Sequence, residues 1–499
     1  MTALRALLIL TLVLAAATLV RAQDGGPLAP FPDEQWDFAA ARHLLLRAGF
    51  GGTEAEIDGL AAAGREGAVR RLVRIPARPK IERLAVDCPE PLIYQTIRDL
   101  PAEERAKRNR EDRIANDRAI AALRHRWLAR MATSRRPLEE RMTLFWHGHF
   151  TSGFRDVRIA GQLAAQNALF RRHALGNFAD LLHAVAKDAA MLEYLDNNRN
   201  RRGSPNENFA REVLELFTLG LGHYEERDIV EAARAFTGWD FDRASGSYAF
   251  RGGQHDFGLK TFLGRRGRFD GEDVLAIILE QPRCAEYLAE RLFLHFVGRD
   301  PTGAERDALA ATIRTGGEGG RPYDLAPALE RLLGSRAFLD PDSAPPTIKG
   351  PVELVVTAVR QLELPVDRLA PVMEMAAAQM EQTLFEPPNV KGWPGGRAWI
   401  STSALYDRFN FAGLVTRDLD GRSFDEDGRA VATGTVAQRA AAIRFPFHPE
   451  DLCRRAGLSE PGAIVDHFAR RLLAVPLPEE SRHELVEWLD TDLLGRASP

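Results

Sequence analysis

The chain has 499 residues, 45 % hydrophobic and 27 % charged, which supplies ample apolar material for a large core and a length that suggests two to four domains. Its 66 Lys and Arg are matched by 70 Asp and Glu, a formal net charge of −4, so no global basic field points to nucleic acid. Cys88, Cys284 and Cys453 are too few and too widely spaced for a zinc knuckle or a disulfide-dense scaffold; at most one bridge forms within the chain, and Cys284, in an apolar helical pattern, is expected as a packed thiol.

The first 22 residues read as a signal peptide: Arg5, the apolar run Leu7 to Ala17, and Val20-Arg21-Ala22 as a small-x-small cleavage site. The run is short for a membrane span, although an uncleaved segment would serve as an anchor. No second such run follows. The expectation is therefore an exported protein, periplasmic or extracellular, without a membrane span after cleavage. Residues 23–35, rich in Gly and Pro, are expected as a flexible, exposed leader. A helical core is then expected over 36–417, a polar linker over 418–434 and a helical extension over 435–499.

Within the core, Trp36 to Arg47 predicts a helix, and Thr53 with Glu56 has capping-box spacing for the next. Ala102 to Met131 predicts a long helix whose charged first half is a solvated arm. Its second half carries Ile120, Leu123, Trp127 and Met131 on one stripe. Pro137 suits the first turn of a helix reaching about Phe150. Helical pattern continues through 157–173 and 178–194, and breaks at 196–205. It resumes in the stretch Asn206 to Trp239 and is lost from Trp239 to Gly264, where a small hairpin or irregular excursion is expected. Helices follow over 273–280, 285–296, 303–314, 324–334, 349–363 and 367–383, then after a proline-stiffened loop, Phe385 to Gly396, over 401–417. No strand–helix alternation, phosphate loop or fixed repeat is present. The fold class predicted is all-α: a large multi-helix domain with loop excursions and at most a small β-hairpin.

The chain concentrates its chemistry in four places. In Asn206–Trp239, a helical wheel puts Glu212 between Leu216 and Leu219, so its carboxylate is partly buried and needs a partner or neutralisation. Glu212 and Glu215, at i and i+3, would form a carboxylate pair for acid–base work. Otherwise Arg211 bonds Glu215 and Glu212 pairs with an arginine such as Arg234. Gly220 and Gly222 end this helix, His223 follows, and Asp228 is the expected cap of the next. In Phe145 to Phe150, His147 and His149 would share one face, as a metal pair requires, only if the backbone becomes extended at Gly148; in a continuous helix His149 joins the apolar arc and His147 points away. His255-Asp256 is a ligand, a base or a polar turn. Asn389, Lys391 and Trp393 sit on the stiff loop, where they would wall a pocket and stack a flat ligand, or plug helix ends. The residues that could carry catalysis are thus Glu212, His149, His255 and Asp256, with His147, His149 and His223 as donors for a divalent metal, and Asn389, Lys391 and Trp393 for substrate. Serine-hydrolase, zincin and haem motifs are absent from the sequence.

Five blocks carry a family resemblance: HLLLRAGFGG at His43–Gly52, FWHGHFTSG at Phe145–Gly153, Asn208–Trp239, HDFGLKTFLG at His255–Gly264 and EPPNVKGWPGGRAWIST at Glu386–Thr402. Together they resemble the bacterial domain-of-unknown-function family 1800, over residues 36 to 415, with the tail beyond Arg417 outside the match. The resemblance implies export and, because similar proteins are often encoded beside exported sulfatase- and phosphatase-like proteins, an exported partner of that kind. It implies no catalytic residue. Two functions follow from the residues: a hydrolase-like enzyme with a polar, metal-holding pocket, or a non-catalytic binding or scaffolding protein for a partner enzyme or envelope polymer.

Overall fold

The computed structural model describes residues 26–74, 83–366, 369–416, 423–424, 430–431, 449–473 and 475–495. The expected signal segment lies outside them, as does most of the expected linker. Helices dominate, and three short antiparallel strand pairs are the β-structure of the described residues: Trp239–Phe241 with Tyr248–Phe250, Lys260–Phe262 with Arg265–Gly267, and Ser423–Phe424 with Ala430–Val431. The fold is all-α, with two hairpins in the excursion where one was expected.

The Pro137–His149 helix divides the interior. Leu138, Met142, Phe145 and Trp146 face one core, shared with the N-terminal helices and the Pro282–Val297 helix. Leu144 packs toward a second core, built from the buried half of Ala102–Thr133, from Ala160–His173 and from Pro351–Gln361 and Ala370–Gln379. The long helix behaves as its pattern dictates: it is exposed at its start and buried from Asn116 onward at Ile120, Leu123, Trp127 and Met131. One ion pair locks three of these helices. Arg171 donates from Nε and Nη2 to Glu140 at 2.7 and 2.9 Å, and Trp127 Nε1 donates to the same carboxylate at 3.1 Å.

Several local expectations change. Residues 26–35 are not an exposed leader: Leu28, Ala29 and Phe31 are buried, and Phe31 N–H donates to the Gly334 carbonyl at 2.9 Å. Apolar side chains spaced through a Gly/Pro text bury as readily as those in a helix once the backbone finds partners. The 178–194 helix is two, Phe178–Ala186 and Ala189–Tyr194, because Asp188 accepts from Met191 N–H and caps the second. Asp228 is not an N-cap. Glu225 holds that position in Glu226–Ala235, and Asp228 reaches back to its N–H and to Leu263 N–H, both at 2.9 Å. The three cysteines are free, and burial pushes the Cys284 thiol up to about 12. The C-terminal helix Pro461–Leu472 docks on the core, with Arg471 buried against the Gln361 carbonyl and the Glu363 carboxylate.

Candidate functional site

The helix carrying Glu212 does not continue as an α-helix. Asn208–Glu212 is α-helical, and Val213–Thr218 widens into a π-helix, with Leu219 N–H donating five residues back to Leu214 O at 3.0 Å. Short π segments are frequent at functional sites. Here neighbours hold the widened turn by its carbonyls. Tyr287 hydroxyl donates to Leu216 O at 2.9 Å, His149 Nε2–H to Phe217 O at 3.1 Å, and Arg283 Nε to Leu219 O at 2.9 Å. Gly220, at φ 80°, then ends the helix.

On this turn the two carboxylates meet different surroundings. Glu215 accepts from the Tyr224 hydroxyl at 3.2 Å and lies 4.0 Å from Lys391 Nζ. Glu212 is 9 % exposed and makes no hydrogen bond or ion pair with a described side chain. Burial, with the Glu215 charge adding and Lys391 and Arg211 opposing, raises its carboxyl above the usual range. Neither expected arginine pairing forms: Arg211, expected on Glu215, pairs with Glu207 and Glu226, and Arg234, expected on Glu212, pairs with Glu231 and Asp256. Two tyrosines complete the surroundings. Tyr194, acted on by Asp156, Thr151 and Glu212, is pushed up to about 12, chiefly by burial. Tyr224 is also pushed up to about 12, by burial and then by Glu215. Neither tyrosine stood out in the sequence, because a Tyr at a helix end or in a turn has no periodicity to distinguish it.

The stiff loop forms the opposite wall. Phe385 adopts φ 61°, rare for a bulky side chain, and is held from both sides: its N–H donates to His147 Nε2 at 3.0 Å and its carbonyl accepts from Phe154 N–H at 2.8 Å. Thr151 hydroxyl donates to Val390 O at 2.7 Å. At Gly392, φ 75°, a Cβ would stand 2.4 Å from the Gly148 carbonyl oxygen, so this close approach of the two backbones requires glycine at 392. Asn389 accepts from Lys391 N–H at 2.9 Å, which aims Lys391 toward Glu215. Trp393 is half-buried, with its ring 5.5 Å from that of His147.

The histidine–metal expectation is corrected. The helix runs through Gly148 to His149, so the two imidazoles leave on different sides. His147 spends its Nε2 lone pair on Phe385 N–H, and His149 places its Nε2–H on Phe217 O, which leaves its buried Nδ1 unpartnered. His223 is exposed on the turn after Gly222. No three His, Cys, Asp or Glu among the described residues are arranged to hold a metal ion. This donor set does not fit a resident divalent metal. His255 and Asp256 are a polar turn and not a dyad: His255 Nδ1–H donates to Thr237 O at 2.8 Å, and Asp256 binds Arg234 Nε at 2.8 Å and Gly258 N–H at 2.7 Å. Their place on a loop drew attention, but both are consumed in bracing it.

His147 and His149 carry a pH prediction. Burial holds both imidazoles down to about 3, with Arg291 adding to the effect at His149. Unfolding returns each to about 6.5, so each takes up a proton on unfolding below that pH. Their contribution is complete above about pH 6.5 and is lost as pH falls toward 3. Urea-denaturation midpoints from pH 7.5 to 4.5 are expected to fall steadily; a flat profile would show that these imidazoles are not buried neutral.

The structure thus defines a helical protein in which a π-turn carrying two carboxylates lies beside a glycine-docked loop. The chain belongs to the DUF1800 family of proteins of unknown function, whose profile matches residues 43–495. The family extends past Arg417, where the resemblance read from the motifs stopped, and takes in the C-terminal helices. No curated protein and no solved structure matches the chain.

Proposed function

We propose that this is an exported hydrolase-like enzyme in which Glu212 is the general acid–base. One observation carries the reading: two neighbouring carboxylates in unlike surroundings, Glu215 bound by Tyr224 and Lys391, and Glu212 nearly buried and unpaired. Such a division separates a proton-exchanging acid from a fixed anion. Glu212 exchanges the proton, Glu215 stabilises developing positive charge, Lys391 and Tyr194 position polar groups of the substrate, and Trp393 offers a half-exposed ring for stacking. His149 acts through the π-turn, as a positioning residue.

Export rests on the N-terminal 22 residues. Among the described residues no helix is long and apolar enough to cross a membrane. The test is parallel assay of residues 23–499 and Glu212→Gln on chromogenic esters, glycosides, phosphate esters and sulfate esters. Turnover present in the wild type and lost in the variant supports the reading; equal turnover in both contradicts it.

A second reading, a non-catalytic partner-binding protein, draws on the helix Thr402–Thr416. It turns Leu405, Tyr406 and Phe409 to solvent at 46, 67 and 69 % exposure. An exported sulfatase- or phosphatase-like protein is the partner that reading names.

A further inference from the structure

Away from the two carboxylates, four cations from four parts of the chain lie near one another, two of them buried and two partly exposed. Arg47 leaves the Phe38–Ala48 helix and Arg141 leaves Pro137–His149. Lys349 precedes Pro351–Gln361, and Arg408 comes from Thr402–Thr416. Arg47 and Arg141 are 8 and 7 % exposed. Their partners are mostly neutral. Arg47 donates from Nε and Nη2 to Phe296 O at 3.1 and 2.8 Å, and Arg408 donates to Lys349 O at 2.7 Å and Trp399 O at 3.2 Å. Arg141 Nε donates to His295 Nε2 at 3.2 Å. That bond requires an unprotonated nitrogen, so His295 adds no negative charge.

The carboxylate that the described residues place among these cations is Glu353, 3.1 Å from Arg141 Nη1. Four cations against one anion leave a formal +3. Lys349 Nζ makes no hydrogen bond or ion pair with a described residue. Burial, opposed by Glu353 and reinforced by Arg47, Arg141 and Arg408, lowers the Lys349 ammonium. Burial likewise brings the Arg47 guanidinium down to about 10. The Pro351–Gln361 helix also begins here, at Gly350, and its positive end adds to the same potential.

Buried like charges are strongly unfavourable unless an opposite charge joins them. Several guanidinium groups with an ammonium are the donor set that suits a multiply charged oxyanion. We infer that Arg47, Arg141, Lys349 and Arg408 form a binding site for a tetrahedral oxyanion, phosphate or sulfate, entered where Lys349 and Arg408 are partly exposed. The anion ties the N-terminal helix to the helix that follows the Trp393 loop. The site is separate from Glu212 and stands whether or not Glu212 is catalytic.

The experiment is thermal unfolding of residues 23–499 in chloride buffer titrated with sodium phosphate or sodium sulfate, with ionic strength held constant by sodium chloride. Acetate is the monovalent control, and phenyl phosphate tests whether an ester enters. A saturable rise in Tm with phosphate or sulfate, without one for acetate, is expected. A response to phenyl phosphate assigns the site to ester groups; a response to the inorganic ions alone assigns it to the free ion. Lys349→Gln removes the one side chain of the four that has no partner among the described residues. It is expected to fold, to keep or raise its Tm in chloride, and to move the titration midpoint up by about tenfold or more, the loss of one charge-assisted contact. Should it not fold, Arg408→Gln is read in the same titration. A wild-type Tm insensitive to both oxyanions, a response to acetate equal to theirs, or an unchanged midpoint in the variant overturns the assignment.

Discussion

Replacing Arg171 by Leu is expected to lower the unfolding free energy by about 3–5 kcal/mol, the range for removing one partner of a buried pair. Arg171 and Glu140 are 2 and 1 % exposed and meet through two parallel hydrogen bonds. The variant strands the Glu140 carboxylate with Trp127 N–H at 3.1 Å and the Arg130 guanidinium at 4.0 Å. Removing both charges, in Glu140→Leu with Arg171→Met, is expected to recover most of the loss, because no charge is left unpaired. Urea denaturation followed by tryptophan fluorescence measures all three. A single-variant loss below about 1 kcal/mol, the level of an exposed pair, would show that water reaches this pair.

Glu212→Gln is expected to reduce turnover by about 10²- to 10⁴-fold, the contribution of a positioned acid–base, with KM nearly unchanged because the amide keeps the shape. Its stability moves the opposite way from Arg171→Leu. The raised Glu212 carboxyl holds its proton more tightly folded than unfolded, so the wild type loses stability as pH rises from the ordinary carboxylate range through the raised value. Glutamine removes that loss, and the variant is expected to be as stable as the wild type at neutral pH, or more so. A variant both inactive and unstable would make Glu212 a structural residue. Glu215→Gln, which weakens the contacts to Tyr224 and Lys391, is expected to loosen the loop's hold on the π-turn as well as lower turnover.

The helices were largely legible because their signals are local. The Thr53–Glu56 capping box forms as its spacing indicates, and the stripe Ile120, Leu123, Trp127, Met131 buries as its period requires. Glu212 was legible as an anomaly, a carboxylate where an apolar residue was due. Its surroundings were not, because the wheel that located it assumes α-helical spacing and the turn after it is π-helical. That widening is fixed by Tyr287, Arg283 and His149, each on another helix and 64 or more residues away in sequence from the carbonyl it holds, and no local pattern encodes it. The imidazoles misled for a related reason. The metal pair of His147 and His149 depended on an extended backbone at Gly148, and the structure follows the alternative, a continuous helix that gives each ring a separate structural bond. The cationic cluster was invisible because its four members are single residues spread from Arg47 to Arg408.

The central claim is that Glu212 is a nearly buried carboxylate without a partner, poised to exchange a proton. Titrating it tests this most directly, by carboxyl-carbon NMR on glutamate-labelled residues 23–499 with Glu212→Gln to assign the resonance. The account predicts a midpoint above 4.5, the ordinary value for a glutamate. A midpoint at or below 4.5 would mean that Glu212 is paired or solvated, and would contradict the acid–base reading at its base.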